Sequence, residues 1–530
     1  MLKDGASVTY GSDAIAGVVN VILRSDFDGA EINAYTGRYE QGDGEKHSVD
    51  FTIGASGERV RGIFSLGYTR EDPVMAGDRK ISAVPIVNTG VSFGSTTTPF
   101  GRFALCNGTW NSSTATCSGT QVRPDGTGGQ FTYDPGQQGD QWRNFVLPND
   151  AYNFAPENYL VTPQERTTLF GRASVDITEN TTLSITGVFN NRKSEQLLAS
   201  MPIVMGTGPG AGAIARTVAI SADSIYNPFG LDVVRIQRRA NETGGRSFNQ
   251  DVNTLALNVG LEGMVTLGGK ELFWEVGGTY GRNSQSDTTI GLFNVEALRN
   301  ALGPSMLDAS GTPVCVRVPG DLSSRIPGCV PTNLLGAVGT LTPEMLNYTS
   351  FVAHDNLGYT MRHLYANITG EIVKLPAGNL AFAAGLEKRS ESGFDSPDAL
   401  IASGSTTGNA RTPTSGSYDV TEGFLELSMP LLKDLPAVKA LDLSVAVRNS
   451  DYSNFGSTTN AKAGVLWKVS DSLLVRGNWS QGFRAPSVVE LFQGLSDSFP
   501  QIADPCSTTF GGGYNGLTDE QKARCHAAGV

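Results

Sequence analysis

The 530-residue sequence carries 40 Lys and Arg against 52 Asp and Glu, a net charge of −12, which excludes a body built to grip nucleic acid, because that needs a basic face. Glycine accounts for 64 residues, about 12% against a usual 7%, while 39% of residues are hydrophobic and 17% charged; the chain is neither a disordered polyelectrolyte nor an apolar helical membrane protein. No stretch reaches the roughly 18 consecutive apolar residues of a transmembrane helix, the longest run, Ala14 to Leu23, being broken by Gly17 and Asn20.

The opening segment, residues 2–24, is punctuated by Gly5, Gly11 and Gly17 at a spacing of six, which permits positive φ or close backbone approach. Within it Val18, Val19, Val21 and Ile22 predict a short buried strand. Beyond it, segment after segment alternates apolar and polar residues at period two. Val60, Phe64, Leu66 and Tyr68 fall on one face and Arg61, Ser65 and Thr69 on the other; Leu441, Leu443, Val445 and Val447 likewise oppose Asp442, Ser444 and Arg448. Thirteen strands are predicted, near 28–40, 45–56, 59–71, 166–178, 181–194, 249–267, 270–286, 357–373, 379–392, 417–431, 440–452, 459–469 and 472–482. Tight links such as Glu179-Asn180, Gly268-Gly269 and Ser470-Asp471 follow the even-numbered strands, and the long connections follow odd-numbered ones. A transmembrane barrel with short periplasmic turns and long extracellular loops reads this way.

The six cysteines fall as three sequence-local pairs, Cys106/Cys117, Cys315/Cys329 and Cys506/Cys525, each in a long connection rich in Gly, Pro, Ser and Thr. The spacing predicts three loop disulfides and hence an oxidising compartment; a metal site and unpaired thiols are the rival readings. A soluble β-sandwich would also alternate. Against it, the strands are long, and the polar face is read as Gly, Asn, Thr and charge without the aromatics of a second core. Trp274, Tyr280, Tyr68, Trp467 and Trp479 lie on the apolar face, where an interfacial girdle belongs.

One family then comes into view. Gly5-Ala6-Ser7, Tyr10-Gly11-Ser12, the small residues through Gly17 and Val18-Val19-Asn20-Val21 resemble the end of the plug domain of TonB-dependent outer-membrane receptors, where it leads into the first barrel strand. Tyr152 to Pro156, with Tyr159, Pro163 and Arg166, and Ser480-Gln481-Gly482-Phe483-Arg484-Ala485-Pro486-Ser487 resemble the barrel of the same family. The resemblance implies an all-β fold: the end of a plug at residues 1–26, then a transmembrane antiparallel barrel over 27–530, holding about 13 of an expected 22 strands. It also implies a bacterial outer-membrane location, contact with outer-membrane lipid, capture of a scarce small-molecule nutrient and uptake driven by the TonB–ExbB–ExbD complex. No cofactor, no nucleic acid and no enzymatic step are implied. With no signal peptide at Met1 and fewer strands than the family's, the sequence is expected to be an internal piece of a longer chain.

For ligand contact, the loop aromatics and charge Trp110, Tyr133, Trp142 and Arg143 are the candidates, with ordinary loop packing as the alternative. Gly90-Val91-Ser92-Phe93-Gly94 matches a hydrolase elbow pattern but lacks strand–turn–helix surroundings and a nearby His, and Gly206 to Gly212 reads as loop composition. The competing functional readings are a passive porin-like channel, which needs no plug, and a secreted β-rich adhesin or hydrolase.

Overall fold

The structure, a computed structural model, describes residues 6–24, 27–84, 94–138, 141–498, 505–506 and 516–527. Gly5 and residues 85–93, which include most of the elbow-like pattern, lie outside the described residues.

Thirteen strands form one antiparallel sheet: β1 Gly29–Gly37, β2 Lys46–Ser56, β3 Val60–Glu71, β4 Gln164–Thr178, β5 Thr181–Leu198, β6 Arg246–Leu267, β7 Lys270–Phe293, β8 Ser350–Leu375, β9 Gly378–Ser396, β10 Thr414–Leu435, β11 Val438–Tyr452, β12 Gly456–Lys468 and β13 Leu474–Ser480. Each pairs with its sequence neighbour, so the sheet order is the chain order. The links after β2, β4, β6, β8 and β10 are only two or three residues long. Between β6 and β7, Gly268 and Gly269 both take positive φ, 61° and 77°, as a two-residue hairpin matching the sheet's right-handed twist requires.

The outward face keeps its apolar side chains uncovered. Leu386 is 69% exposed and Leu425 43%, far more apolar surface than a water-soluble protein leaves bare. At the short-turn end of β12, Trp467 donates its indole N–H to the Ala437 carbonyl (2.9 Å) while its ring stays on the apolar face. This is the lipid-facing wall of a transmembrane barrel.

At the long-loop end, several strands run past the reach of their alternation. The β5 ladder continues to Leu198 and that of β7 to Phe293, while β8 begins at Ser350 and β10 at Thr414. There both faces are polar or covered by loops, so the period disappears although the backbone ladder persists. At 26 residues β8 spans about 85 Å, much more than the apolar belt.

The long connections are not mere loops. Segments Trp142–Asn144, Phe131–Tyr133, Arg102–Cys106, Val233–Arg239 and Pro202–Gly206 form a second sheet in that order, with Gln121–Val122 paired to Arg102–Cys106. Phe103, Leu105, Phe131, Ile203, Met205 and Ile236 bury completely, packed with Phe293 at the end of β7 and with Leu298 and Leu302 from the connection between β7 and β8. Helices α1 Val295–Ala301 and α2 Pro343–Thr349 close this loop domain, each N-capped by a side chain, Asn294 and Thr342.

All three expected disulfides are formed: Cys106–Cys117, Cys315–Cys329 and Cys506–Cys525, with Cα separations of 5.8, 5.9 and 5.4 Å. Two sequence readings are corrected. Residues 18–22 make no buried strand: Val19 is 68% and Ile22 88% exposed, because no described element packs over them. The polar face of the wall also has aromatics after all. Tyr359, Tyr365, Tyr418 and Tyr452 share it with the charges; the hydroxyls of Tyr359 and Tyr365 donate to Glu391 and Glu275, and Tyr418 and Tyr452 join a small core with Val420, Ala485 and Val488.

Candidate functional site

On the inward face of β8 to β11 the wall carries a connected polar array. The Arg448 guanidinium on β11 meets Glu422 on β10 through two bonds, 3.0 and 3.1 Å, and Glu387 on β9 at 3.0 Å. Glu422 also accepts from the Ser450 hydroxyl (2.5 Å), and Glu387 from His363 on β8 (3.1 Å). Arg448 and Glu422 are almost fully enclosed, 1% and 2% exposed, so the ion pair must be internally satisfied. Alternation puts these residues on one face, and the antiparallel register sets Glu422 opposite Ser450.

The opening segment docks on this array. Residues Ser7–Tyr10 form one helical turn, with Ala6, Ser7 and Val8 buried. The Thr9 carbonyl accepts from Arg448 (3.5 Å), and the Thr9 hydroxyl donates to Glu426 (3.5 Å). Gly11 passes so close that an added Cβ would sit 3.4 Å from the Arg448 guanidinium, and its φ of 82° already disfavours a side chain.

The two motifs that carry the family resemblance meet here. The Ser7 hydroxyl accepts the Phe483 amide (3.3 Å), the Ser12 hydroxyl accepts the Ala485 amide (2.8 Å), and the Asp13 amide donates to the Phe483 carbonyl (3.0 Å). Asp13 also lies 3.7 Å from Arg484. Phe483 packs on Tyr452 (5.8 Å between centroids), which stacks on Phe455 (4.4 Å). Residues separated by more than 470 positions thus form one junction on the inner wall. Of the motif residues, Tyr10 is exposed, Gly17 takes φ 155° and Asn20 lies in the exposed stretch; none of the three makes a polar side-chain contact in the junction.

Just beyond the junction, helix α3 Val488–Phe492, capped by Ser487 and Glu490, lies against β9 and β10 and roofs a cavity of about 300 Å³. Tyr359, Phe394, Asp395 and Arg411 line it from the wall and Val488 and Leu495 from the roof. Arg411 bridges Asp355 (2.8 Å) and Asp395 (2.9 Å). An apolar roof over a few fixed charges is the composition of a small-molecule site. Sequence reading missed this cavity, since its members come from five separate stretches; the capping signature Ser487-x-x-Glu490 was the one local signal for the roof.

Three of the four loop candidates come together elsewhere. The Trp142 ring lies edge-on to Phe131 (5.4 Å), Tyr133 (5.2 Å) and Phe229 (5.2 Å), and the Tyr133 hydroxyl donates to Gln141 (2.5 Å). Arg143 is bound to Asp134 (2.7 Å) and Asp150 (2.7 and 2.9 Å). That contact holds the Asp134 carboxyl below its ordinary range; at Asp150 burial pushes upward, but the Arg143 bonds and the Val146 amide win and its pKa is also lowered. Trp110 sits on the hairpin closed by Cys106–Cys117, outside this ring cluster, its indole N–H enclosed without an acceptor.

Residues 345–520, the segment with β8 to β13 and the Phe483–Ala485 half of the junction, match the family model described as TonB dependent receptor-like, beta-barrel. Among solved structures, the chain is similar to the siderophore receptor PirA from Acinetobacter baumannii (13% identity, TM-score 0.42, 92% of this chain and 47% of that one). It is also similar to a mutant of the ferric enterobactin receptor PfeA from Pseudomonas aeruginosa (10% identity, TM-score 0.45, 92% and 49%). The chain spans about half the length of these structures. No curated protein matches the sequence. The family match thus assigns residues 345–520 to the TonB-dependent receptor β-barrel, and the same meander of long antiparallel strands runs on through the rest of the wall.

Proposed function

We propose that this chain is part of an outer-membrane receptor that captures a scarce small-molecule nutrient and takes it up with energy from the TonB–ExbB–ExbD complex, residues 1–26 being the end of the plug and 27–530 the barrel. The observation that carries the reading is the junction between residues 7–13 and 483–485 on the inner wall. A part that must be pulled free repeatedly needs a seat that is specific but not welded. Here the polar contacts are hydrogen bonds and one long ion pair, which water can replace, and the apolar seat is small, chiefly the buried Ala6 and Val8. Arg448 keeps Glu422 and Glu387 when Thr9 leaves, so departure strands no buried charge. A passive porin has no use for such a seat, and an adhesin or hydrolase has no use for a lipid-facing wall.

The test is a cross-link between Ser12→Cys and Ala485→Cys in cells, read against each single variant. A panel of iron-55 ferric siderophores, cobalamin, haem and maltodextrin first finds a transported probe. The cross-linked protein is expected to bind that probe and fail to take it up, while both single variants transport. Unchanged uptake in the cross-linked protein would overturn the reading.

A further inference from the structure

The strand Val233–Arg239 of the loop domain carries three arginines whose fates differ. Arg238, with no exposed surface, is bound to Glu242 (2.7 Å) and to the Ala337 carbonyl (3.0 Å). Arg239, 4% exposed, reaches the Ser200 and Thr97 carbonyls and the Ser95 hydroxyl, and lies over the rings of Tyr152 and Phe154. Both are structural cations, Arg238 neutralised by Glu242 although its Nε finds no acceptor, and Arg239 bound to two carbonyls and a hydroxyl. Arg235 is not: its one side-chain bond runs 3.3 Å to Gln237, its Nε is shut away from solvent without an acceptor, and no carboxylate among the described residues pairs with it. Arg102, on the neighbouring strand, adds a second positive charge; it is held by Gln130 (2.6 Å) and the Phe145 ring, neither of which neutralises it. Burial and the Arg102 charge push the Arg235 pKa down to about 10, the mark of a guanidinium kept charged in an unfavourable place.

Arg235 lines a cleft of about 600 Å³ between the Cys106–Cys117 hairpin and the turn at Ala215–Thr217. Arg216 lines it from the opposite side, exposed and without an ion-pair partner among the described residues. The remaining lining is hydroxyl- and amide-rich and holds no Asp or Glu. Thr114 and Thr116 share one hydrogen bond (2.7 Å), which leaves one of their two O–H groups free to donate. Two unneutralised guanidiniums and a donor rim facing a cleft of ligand size are complementary to an anion and to little else.

We propose that this cleft is a binding subsite for a small molecule bearing an oxyanion, a carboxylate or a phosphate, with Arg235 and Arg216 as its charge partners. The inference deepens the receptor reading by giving the ligand a charge. It is tested by binding alone, so failure of the uptake experiment and failure of this one are separate results.

The experiment is titration calorimetry on the detergent-solubilised chain with citrate, inorganic phosphate and, as the neutral control, maltose. Citrate or phosphate is expected to bind saturably and maltose not, and the preference between the two names the group. Arg235→Gln is expected to weaken binding about tenfold or more, and the exposed Arg216→Gln by roughly two- to fivefold, since bonds to a desolvated charge outweigh those in water. Removing an uncompensated, half-buried charge should leave the melting temperature of Arg235→Gln unchanged or higher, the opposite of what a structural arginine would show. Absence of binding by both anions, or equal binding by both variants and the native chain, would overturn the proposal. So would a lowered melting temperature in Arg235→Gln combined with native binding in Arg216→Gln.

Discussion

The wall and the loop domain are both antiparallel β-sheet, yet they deploy their apolar residues in opposite ways. In the wall, Leu386 and Leu425 stand away from the protein; in the loop domain, Phe103, Ile203 and Ile236 lie completely inside it. The difference is one of solvent. Lipid accepts apolar side chains, so a wall strand needs a neighbour only for its backbone. The loop domain, surrounded by water, must build its own core, and recruits it from connections far apart in sequence: Phe103 from the one after β3, Ile203 and Ile236 from the one after β5, Leu298 from the one after β7.

The largest expected effect tests that contrast directly. Phe103→Ala should destabilise the loop domain by about 3–5 kcal/mol, because the emptied volume is walled by Phe131 and Trp142, which cannot fully collapse into it. Leu425→Ala, on the lipid face, leaves no cavity and should cost much less. Hydrogen exchange in 102–106 and in β10 reads the two regions separately. Equal losses of protection in both would mean that the loop domain has no independent core.

A charge placed at mid-belt comes next. Ala384, opposite Ile368 and Leu425, lies near the centre of the outward apolar face. Ala384→Arg should cost about 2–4 kcal/mol in lipid and reduce the yield of folded, heat-modifiable protein in the membrane fraction. A native yield would argue that this face is not in contact with lipid.

The same contrast explains what the sequence could show. Wall strands are legible because each carries its whole pattern within about ten residues, and Leu441 to Arg448 alternates as written. The hairpin at Gly268-Gly269 is legible because its backbone chemistry is local. The segments Arg102–Cys106 and Pro202–Gly206 were hidden in connections, since a short strand buried on both faces has no period to show. At the candidate site, the two motifs were visible singly, but their meeting through Ser7, Ser12, Phe483 and Ala485 is a tertiary fact. The cavity beneath α3 was likewise invisible, being assembled from five stretches. Trp142 and Arg143 could be picked out by residue type, whereas the partners that occupy them, Phe131, Asp134 and Asp150, could not.

The smallest expected effect separates the two regions by pH. Asp134 and Asp150 are held below their ordinary pKa by Arg143, so the stabilisation they give is complete above the unfolded value near 3.9 and drains away as pH falls through the lower folded values. Acidification from about pH 5 to pH 3 should therefore loosen the Arg143 bridge and the Trp142 ring cluster beside it, while the wall ladder, held by backbone bonds, keeps its far-ultraviolet signal. Because Asp134 and Arg143 are partly exposed, solvent screens the pair, and the loop-domain melting midpoint should fall by roughly 2 °C or less from this source. Asp150→Asn should lower the midpoint at pH 7 and blunt its dependence on acid, because the carboxylate that titrates is gone. A midpoint that rises on acidification, or an Asp150→Asn protein that responds to acid as the native chain does, would show that the bridge is a surface contact with no share in holding the ring cluster to the loop-domain core.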